Sequence, residues 1–197
     1  MKLDKPLLIV ISGPSAVGKD VLIDLLKTYD SNYHFVVTTT TRKIRKDEKE
    51  GINHFFLSVE KFNKRIKEGK FLEWAKVYGN YYGVEKKQVE MALKEGKDVI
   101  IRVDVQGAER IRQIFEDSLQ IFILPPNINI LKQHLIIRGV NDSNDINLRL
   151  QKAKQEIDKA IDFKYSIINY ENKLEETAKK INEIIDKEHK YTKDNRY

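Results

Sequence analysis

Two glycines five residues apart with a lysine directly after them are the first residues whose spacing suggests chemistry. Gly13-Pro14-Ser15-Ala16-Val17-Gly18-Lys19 fits seven positions of the pattern G-x-x-x-x-G-K-S/T. Glycines let backbone N–H groups converge on phosphate oxygens, a helix starting there turns its positive end to the same point, and Lys19 adds a point charge. The bare string would arise by chance in roughly one chain in twenty, so its setting between a buried strand and an amphipathic helix carries the reading. The eighth position holds Asp20 where a hydroxyl usually meets Mg²⁺. A carboxylate is a hard oxygen donor, which makes Asp20 a candidate metal ligand. It also sets a negative charge beside the phosphates, and something basic must offset it.

The elements that would hold this loop can be read on either side of it. Leu7–Ile11 is an unbroken apolar run, the pattern of a strand buried on both faces of a parallel sheet, and Val21, Leu22, Leu25 and Leu26 recur at helical spacing after Lys19. Further strands are expected at Val99–Val105, Ile121–Leu124 and Ser166–Asn169. Helical patterns lie at Val84–Glu95, Ala108–Phe115, Ile130–Ile137, Asp145–Ile161 and Leu174–Lys187. The alternation predicts an α/β fold: a parallel sheet flanked by helices with right-handed crossovers. From about His34 to Tyr82 the rhythm breaks into four threonines, a charged run from Arg42 to Glu50 and a short aromatic strand at His54–Leu57, which reads as an inserted mixed α/β subdomain. Asn141–Asp145 is a polar, turn-forming stretch expected to be a mobile lid loop, and His189–Tyr197 reads as a frayed tail, disordered over 191–197.

Composition narrows the function classes. The 197 residues suffice for one domain with insertions, and at 41% hydrophobic and 34% charged they are those of an ordinary globular protein. The longest apolar run, Leu7–Ile11, is far short of the roughly 20 residues of a membrane span. Met1–Lys5 leads almost directly into core-like sequence with no room for a cleavable signal, so the cytoplasm is expected. The absence of cysteine removes disulfides, thiol nucleophiles and Cys-ligated zinc, and the histidines scattered at 34, 54, 134 and 189 offer no metal-ligand spacing, so redox and zinc chemistry are not expected. The net charge of +6 suits an anionic partner, but the lysines form no basic stripe with interleaved aromatics, so nucleic acid is not expected.

Elsewhere, Arg42 and Arg45 stand three apart on a polar segment, so both guanidinium forks can converge on one phosphate; the same run also reads as a solvated charge cluster. Glu73 lies within Phe71-Leu72-Glu73-Trp74-Ala75, where a buried carboxylate needs donors. An arginine could supply them, and so could guanine, whose N1–H and N2–H share one edge. Asp104 ends an expected strand, where a carboxylate belongs at the ligand crevice of an α/β sheet.

Taken in order, the segments SGPSAVGK (12–19), TTTTRKIR (38–45), GKFLEWAKVYGNYYG (69–83), VDVQGA (103–108), ILPP (123–126), LIIRG (135–139) and NLRL (147–150) resemble the guanylate kinases. That family of P-loop nucleoside monophosphate kinases transfers the γ-phosphoryl of ATP to GMP. The resemblance runs from Leu8 to about Ile181. It implies a P-loop core (1–33, 84–131, 156–190), a GMP-binding subdomain (34–83) and a helical lid (132–155), with ATP and Mg²⁺ as donor and cofactor and GMP as substrate. By the same resemblance Glu73 and Thr38 read guanine, Arg42, Arg45 and Tyr82 hold the GMP phosphate, and Asp104 assists GMP at the base or through water and Mg²⁺. Residues 13–20 hold ATP, Lys19, Arg138 and Arg149 stabilise the transferring phosphoryl, and Asn169 contacts adenine.

Departures accompany the match. His54 stands for a phosphate-binding tyrosine, to which it could still donate a hydrogen bond; Val84 stands for a base-contacting hydroxyl, Arg102 for an acid and His134 for a lid arginine. Arg102 and Asp104 share a strand face. Arg102 is therefore expected to face Asp20 across the loop mouth and to keep the local charge near the family value. Two alternatives stay open on sequence alone: a guanylate-kinase-like module that binds protein without catalysis, and a kinase of another nucleoside monophosphate.

Overall fold

The computed structural model describes residues 5–29, 32–140 and 142–194. Along the chain come β1 (Leu8–Ser12), α1 (Lys19–Leu26), β2 (Tyr33–Phe35), β3 (Thr39–Thr40), β4 (Phe55–Phe56), α2 (Val59–Lys67), β5 (Phe71–Val77), β6 (Asn80–Glu85), α3 (Lys86–Lys94), β7 (Asp98–Arg102), α4 (Val105–Ile114), β8 (Leu119–Leu124), α5 (Ile128–Ile137), α6 (Ser143–Asp158), a 3₁₀ turn (Lys159–Asp162), β9 (Tyr165–Ile168) and α7 (Leu174–Asp194). Strand β1 is apolar throughout because both its faces are covered. Leu8 and Val10 pack with Val89, Ile101 and Ile111, while Ile9 and Ile11 pack with Leu22, Ile121 and Ile181. Each such side chain contributes roughly 1.5–3 kcal/mol by burial, which anchors the loop that follows it.

The core sheet has the order β2-β7-β1-β8-β9 with every pair parallel. Because β1 has β7 on one side and β8 on the other, the crevice beyond its carboxyl end is the place where such sheets receive ligands. A second, mixed sheet of order β4-β3-β6-β5 stands beside it. Its β5–β6 hairpin closes through Tyr78-Gly79, with φ of 47° and 81°. Positive φ at both positions is the mirror-image turn geometry that matches strand twist, and it suits Gly79 far better than Tyr78.

Four expectations need correction. His34 and Phe35, placed at the start of the insertion, pair with Val99 and Ile100 and belong with Tyr33 to an edge strand of the core sheet, so the inserted part begins after Phe35. Strand β6 continues through Val84 and Glu85 before α3 begins, and α2, capped by Ser58, was not read at all. The polar loop is shorter than expected, since α6 starts at Ser143 with the Asp142 side chain accepting from the Asp145 N–H; Asn141 lies outside the described residues. The terminal helix runs on through Asp194, and His189 Nε2 lies 2.7 Å from Asp98 Oδ2, so the frayed tail does not begin at His189 or at residue 191. Residues 195–197 lie outside the described residues.

Candidate active site

One cavity of about 1030 Å³, counting its open mouth, lies at the carboxyl end of β1 between the two sheets and α6. The loop after β1 forms one wall. Gly13 has φ +146°, and a Cβ there would collide with the Ile123 carbonyl; Gly18 caps α1 at φ +97°, where a Cβ would come 2.8 Å from the Asn169 amide. Both glycines are thus dictated by backbone shape and close approach. Lys19 folds back so that its Nζ donates to the carbonyls of Gly13 (2.5 Å) and Pro14 (2.9 Å). Burial draws its pKa down to about 8, with Glu156 of α6 pulling the other way. Glu156 also accepts from the Ser15 backbone N–H.

Asp20 does what its sequence neighbourhood demanded. Its carboxylate pairs with Arg102 and lies 3.6 Å from Arg138 at the end of α5. Burial and Arg138 lower Arg102 to about 10, which leaves it charged at neutral pH. Because both Asp20 oxygens face guanidinium groups, this carboxylate is a poor open ligand for a metal.

Across the cavity, β3, β5 and β6 present a second set of side chains. Thr38 Oγ1 lies 2.8 Å from His54 Nδ1, and His54 Nε2 lies 3.5 Å from Arg102 Nη2. Burial and the nearby Arg42 push His54 down to about 4, so the ring is neutral. Arg102 can only donate, so Nε2 accepts and Nδ1–H donates to Thr38. His54 therefore has both ring nitrogens committed within the protein, which removes it as a direct phosphate donor. Tyr82 stands edge-on to His54 and beside Arg42.

Arg42 makes a bidentate pair with Glu48 (3.0 and 2.6 Å), and the Arg45 N–H donates to the same carboxylate at 2.9 Å. Against the upward push of burial, these bonds hold Glu48 below the usual carboxylate range. Both arginines are thus held toward the cavity by an internal anion that the sequence reading left in a solvated run.

Glu73 is buried, and its Oε2 has no hydrogen-bond partner. The arginine that could have satisfied it, Arg110, lies over the Trp74 ring at 5.7 Å. Burial, helped by Asp104, pushes Glu73 up to about 8. Asp104 caps α4 through Oδ1, which accepts from the Gly107 N–H at 2.9 Å, while its Oδ2 is buried without a partner. Two such orphaned acceptors in one cavity are rare without a ligand to meet them.

Some expected site residues serve from behind. Asn169 Nδ2 donates to the Val17 carbonyl at 3.0 Å and its Oδ1 accepts from Thr177, so its amide braces the loop and is not turned toward open space. His134 Nδ1 likewise meets the Ala16 carbonyl at 2.8 Å, holding a residue whose φ is +66°. Arg149 lines the cavity from α6, 3.4 Å from Asp145. Glu48, Tyr78 and Glu156 were missed by sequence reasoning. For Tyr78 the one available signal was an aromatic at a two-residue hairpin turn.

A family profile described as guanylate kinase matches residues 5–188. The guanylate kinase of Shouchella clausii is 39% identical over 189 residues, which are 96% of this chain and 91% of that relative. That of Rickettsia felis is 43% identical over 182 residues, 92% and 94% of the two chains. The crystal structure of guanylate kinase from Anaplasma phagocytophilum matches with a TM-score of 0.74 and 32% identity, covering 94% of this chain and 87% of that one.

Proposed function

The chain belongs to the guanylate kinase family, and from that premise we infer that it transfers the γ-phosphoryl group of ATP to GMP, and to dGMP, giving the diphosphate and ADP. The observation that best supports guanine as the base is the partnerless buried Glu73 Oε2, opposite the glycine loop. Glu73 in its ionised form accepts the two N–H groups on one guanine edge. The hydrogen-bond direction from Arg102 through His54 leaves the Thr38 hydroxyl proton free to donate to a base acceptor, which guanine has at O6 and adenine lacks at its amino position. Base reading therefore falls to Thr38 and Glu73 in the segment after Phe35, and α5–α6 forms the lid.

When GMP enters, its phosphate takes over from Glu48 the guanidinium forks of Arg42 and Arg45, with Tyr82 beside them. The ATP phosphates take the loop N–H groups, and Lys19 Nζ exchanges two carbonyls for phosphate oxygens. Arg138 and Arg149 then stabilise the charge that spreads over the transferring group, which asks for positioning and electrostatics and no covalent nucleophile. Asn169 serves ATP by keeping the loop in shape. Mg²⁺ would be held by the triphosphate together with Asp104, whose open Oδ2 fits a hard cation better than the doubly paired Asp20; when bound it neutralises phosphate charge. Asp20 and Arg102, the two departures that could suggest a non-catalytic module, neutralise each other and leave the loop shape intact.

Among the described residues no helix is long and apolar enough to cross a membrane, and together with the lack of cysteine this supports a cytoplasmic enzyme, which cell fractionation tests. The activity itself is tested by ADP release from ATP and Mg²⁺ with GMP, dGMP, AMP and UMP in parallel. Turnover with GMP and dGMP alone is expected. Equal rates with AMP or UMP, or none with GMP, would overturn the reading.

A further inference from the structure

The tip of the β5–β6 hairpin carries a residue that its backbone disfavours. Tyr78 has φ +47°, a left-handed conformation that is strained for a bulky residue and that asparagine or glycine adopts readily. Such strain persists where surrounding contacts over-determine it, and here those contacts come from the lid. Arg149 and Lys152, three residues apart on one face of α6, place the guanidinium carbon and the ammonium nitrogen each 4.6 Å from the centre of the Tyr78 ring. Two cations at one ring would repel each other, but Asp145 lies 3.4 Å from Arg149 and Glu156 lies 3.8 Å from Lys152, so both side chains can stay against it. The Tyr78 hydroxyl is buried with no hydrogen-bond partner, so the ring alone makes the contact. Arg149 Nε is also buried without a partner, which leaves that N–H for a ligand oxygen.

We propose that Tyr78 is the positioning residue for Arg149, a strained aromatic seat on the GMP-binding sheet that receives the lid arginine and aims it at the transferring phosphoryl. The seat lies on the sheet that binds one nucleotide and the arginine on the helix beside the other, so the contact fixes where the lid's charge stands relative to the GMP side. This rests on the phosphotransfer reading above, and adds to it a residue that acts through Arg149.

Tyr78→Asn separates the seat from a structural role, because asparagine suits the turn and relieves its strain. Its melting temperature is expected to stay close to that of wild type, because relief of the turn strain offsets the lost ring contacts. Its kcat should fall roughly tenfold, with KM for GMP held within about threefold, the size of a lost desolvated cation–π contact. Tyr78→Phe, which keeps the ring, should restore kcat to within about threefold of wild type. In an Arg149→Ala background, adding Tyr78→Asn should cost nothing further in kcat, because the seat then has nothing to hold. Full activity in Tyr78→Asn, no rescue by phenylalanine, or an equal loss with Arg149 already removed would each overturn the proposal. A wild-type chain that fails to phosphorylate GMP would instead defeat the proposed function, so the two failures are distinct.

Discussion

Glu73→Gln tests the guanine reading most sharply, because a buried carboxyl that holds its proton in the free protein has to release it to accept both guanine N–H groups. Burial, reinforced by Asp104, pushes the Glu73 carboxyl up to about 8 in the free protein. At pH 7 roughly one molecule in eleven then carries the carboxylate. Only the ionised group accepts both guanine N–H donors, so binding must release about 0.9 proton from this site at pH 7. Below pH 8 the affinity should fall by close to tenfold, about 1.4 kcal/mol, for each pH unit. Calorimetry in two buffers of different ionisation enthalpy counts the protons. A phosphate with a second pKa near 6 adds only about 0.1 proton at pH 7 when bound as the dianion, and guanosine, which has no phosphate, isolates the Glu73 share. The variant should release no proton with guanosine and bind it at least tenfold more weakly, since charge-assisted hydrogen bonds contribute roughly 1.5–3 kcal/mol each. Stability moves the other way. A carboxyl whose folded pKa lies above its ordinary 4.5 keeps a proton that the unfolded chain has lost, so wild-type stability declines as pH rises from about 4.5 to about 8. Glu73→Gln lacks that slope and should melt higher than wild type at pH 8, with the gap closing near pH 4.5. Release below about 0.2 proton with wild type and guanosine at pH 7, or the same release from the variant, would refute the assignment.

Lys19→Ala and Arg138→Ala should each lower kcat by about 10³ or more with unchanged circular dichroism, the scale of charge stabilisation in phosphoryl transfer; retention of most activity would count against both roles. Arg102→Asp alone sets two carboxylates at the loop mouth, whereas Asp20→Ser combined with Arg102→Asp restores the arrangement of a hydroxyl and one acid. The double variant should recover at least about tenfold in kcat over Arg102→Asp, and additive losses would deny the coupling. By NMR titration of the free protein, the His54 ring should stay neutral until pH nears 4, where burial and Arg42 hold it; a midpoint above about 5.5 would contradict the described environment.

The centre of the sheet was legible because β1, β7 and β8 are buried on both faces and so read as plain apolar runs, and the loop because its glycines answer to backbone shape at Gly13 and Gly18. Strand β2 was not: three residues, Tyr33–Phe35, at an edge carry no periodicity, and their pairing with Asp98–Ile100 is set by tertiary packing. The frayed tail failed for a related reason, since the His189–Asp98 contact links positions 91 apart and no local pattern announces it. Within the site, side chains that face ligand were recognisable from chemical type and spacing. Those that hold them were not. Glu48 looks like any acid in a charged run until Arg42 folds onto it, and Asn169 and His134 acquire meaning only when the carbonyls of Val17 and Ala16 arrive beside them.

The departures from the family pattern make sense as one unit of charge. The usual arrangement, a hydroxyl at position 20, an acid at 102 and an arginine at 134, is neutral when counted together. Here Asp20 and Arg102 cancel each other, with the acid moved to the helix and the base moved to the strand. A carboxylate at position 20 alone would repel the triphosphate, and a guanidinium at 102 alone would face Arg138 with like charge; their contact cancels both costs. His54 completes the rearrangement. Its neutral imidazole accepts from Arg102 through Nε2 and donates through Nδ1 to Thr38, so the ring links the relocated base to the residue that reads guanine. Substitutions at positions 20, 54 and 102 that look damaging one at a time thus offset one another where they touch.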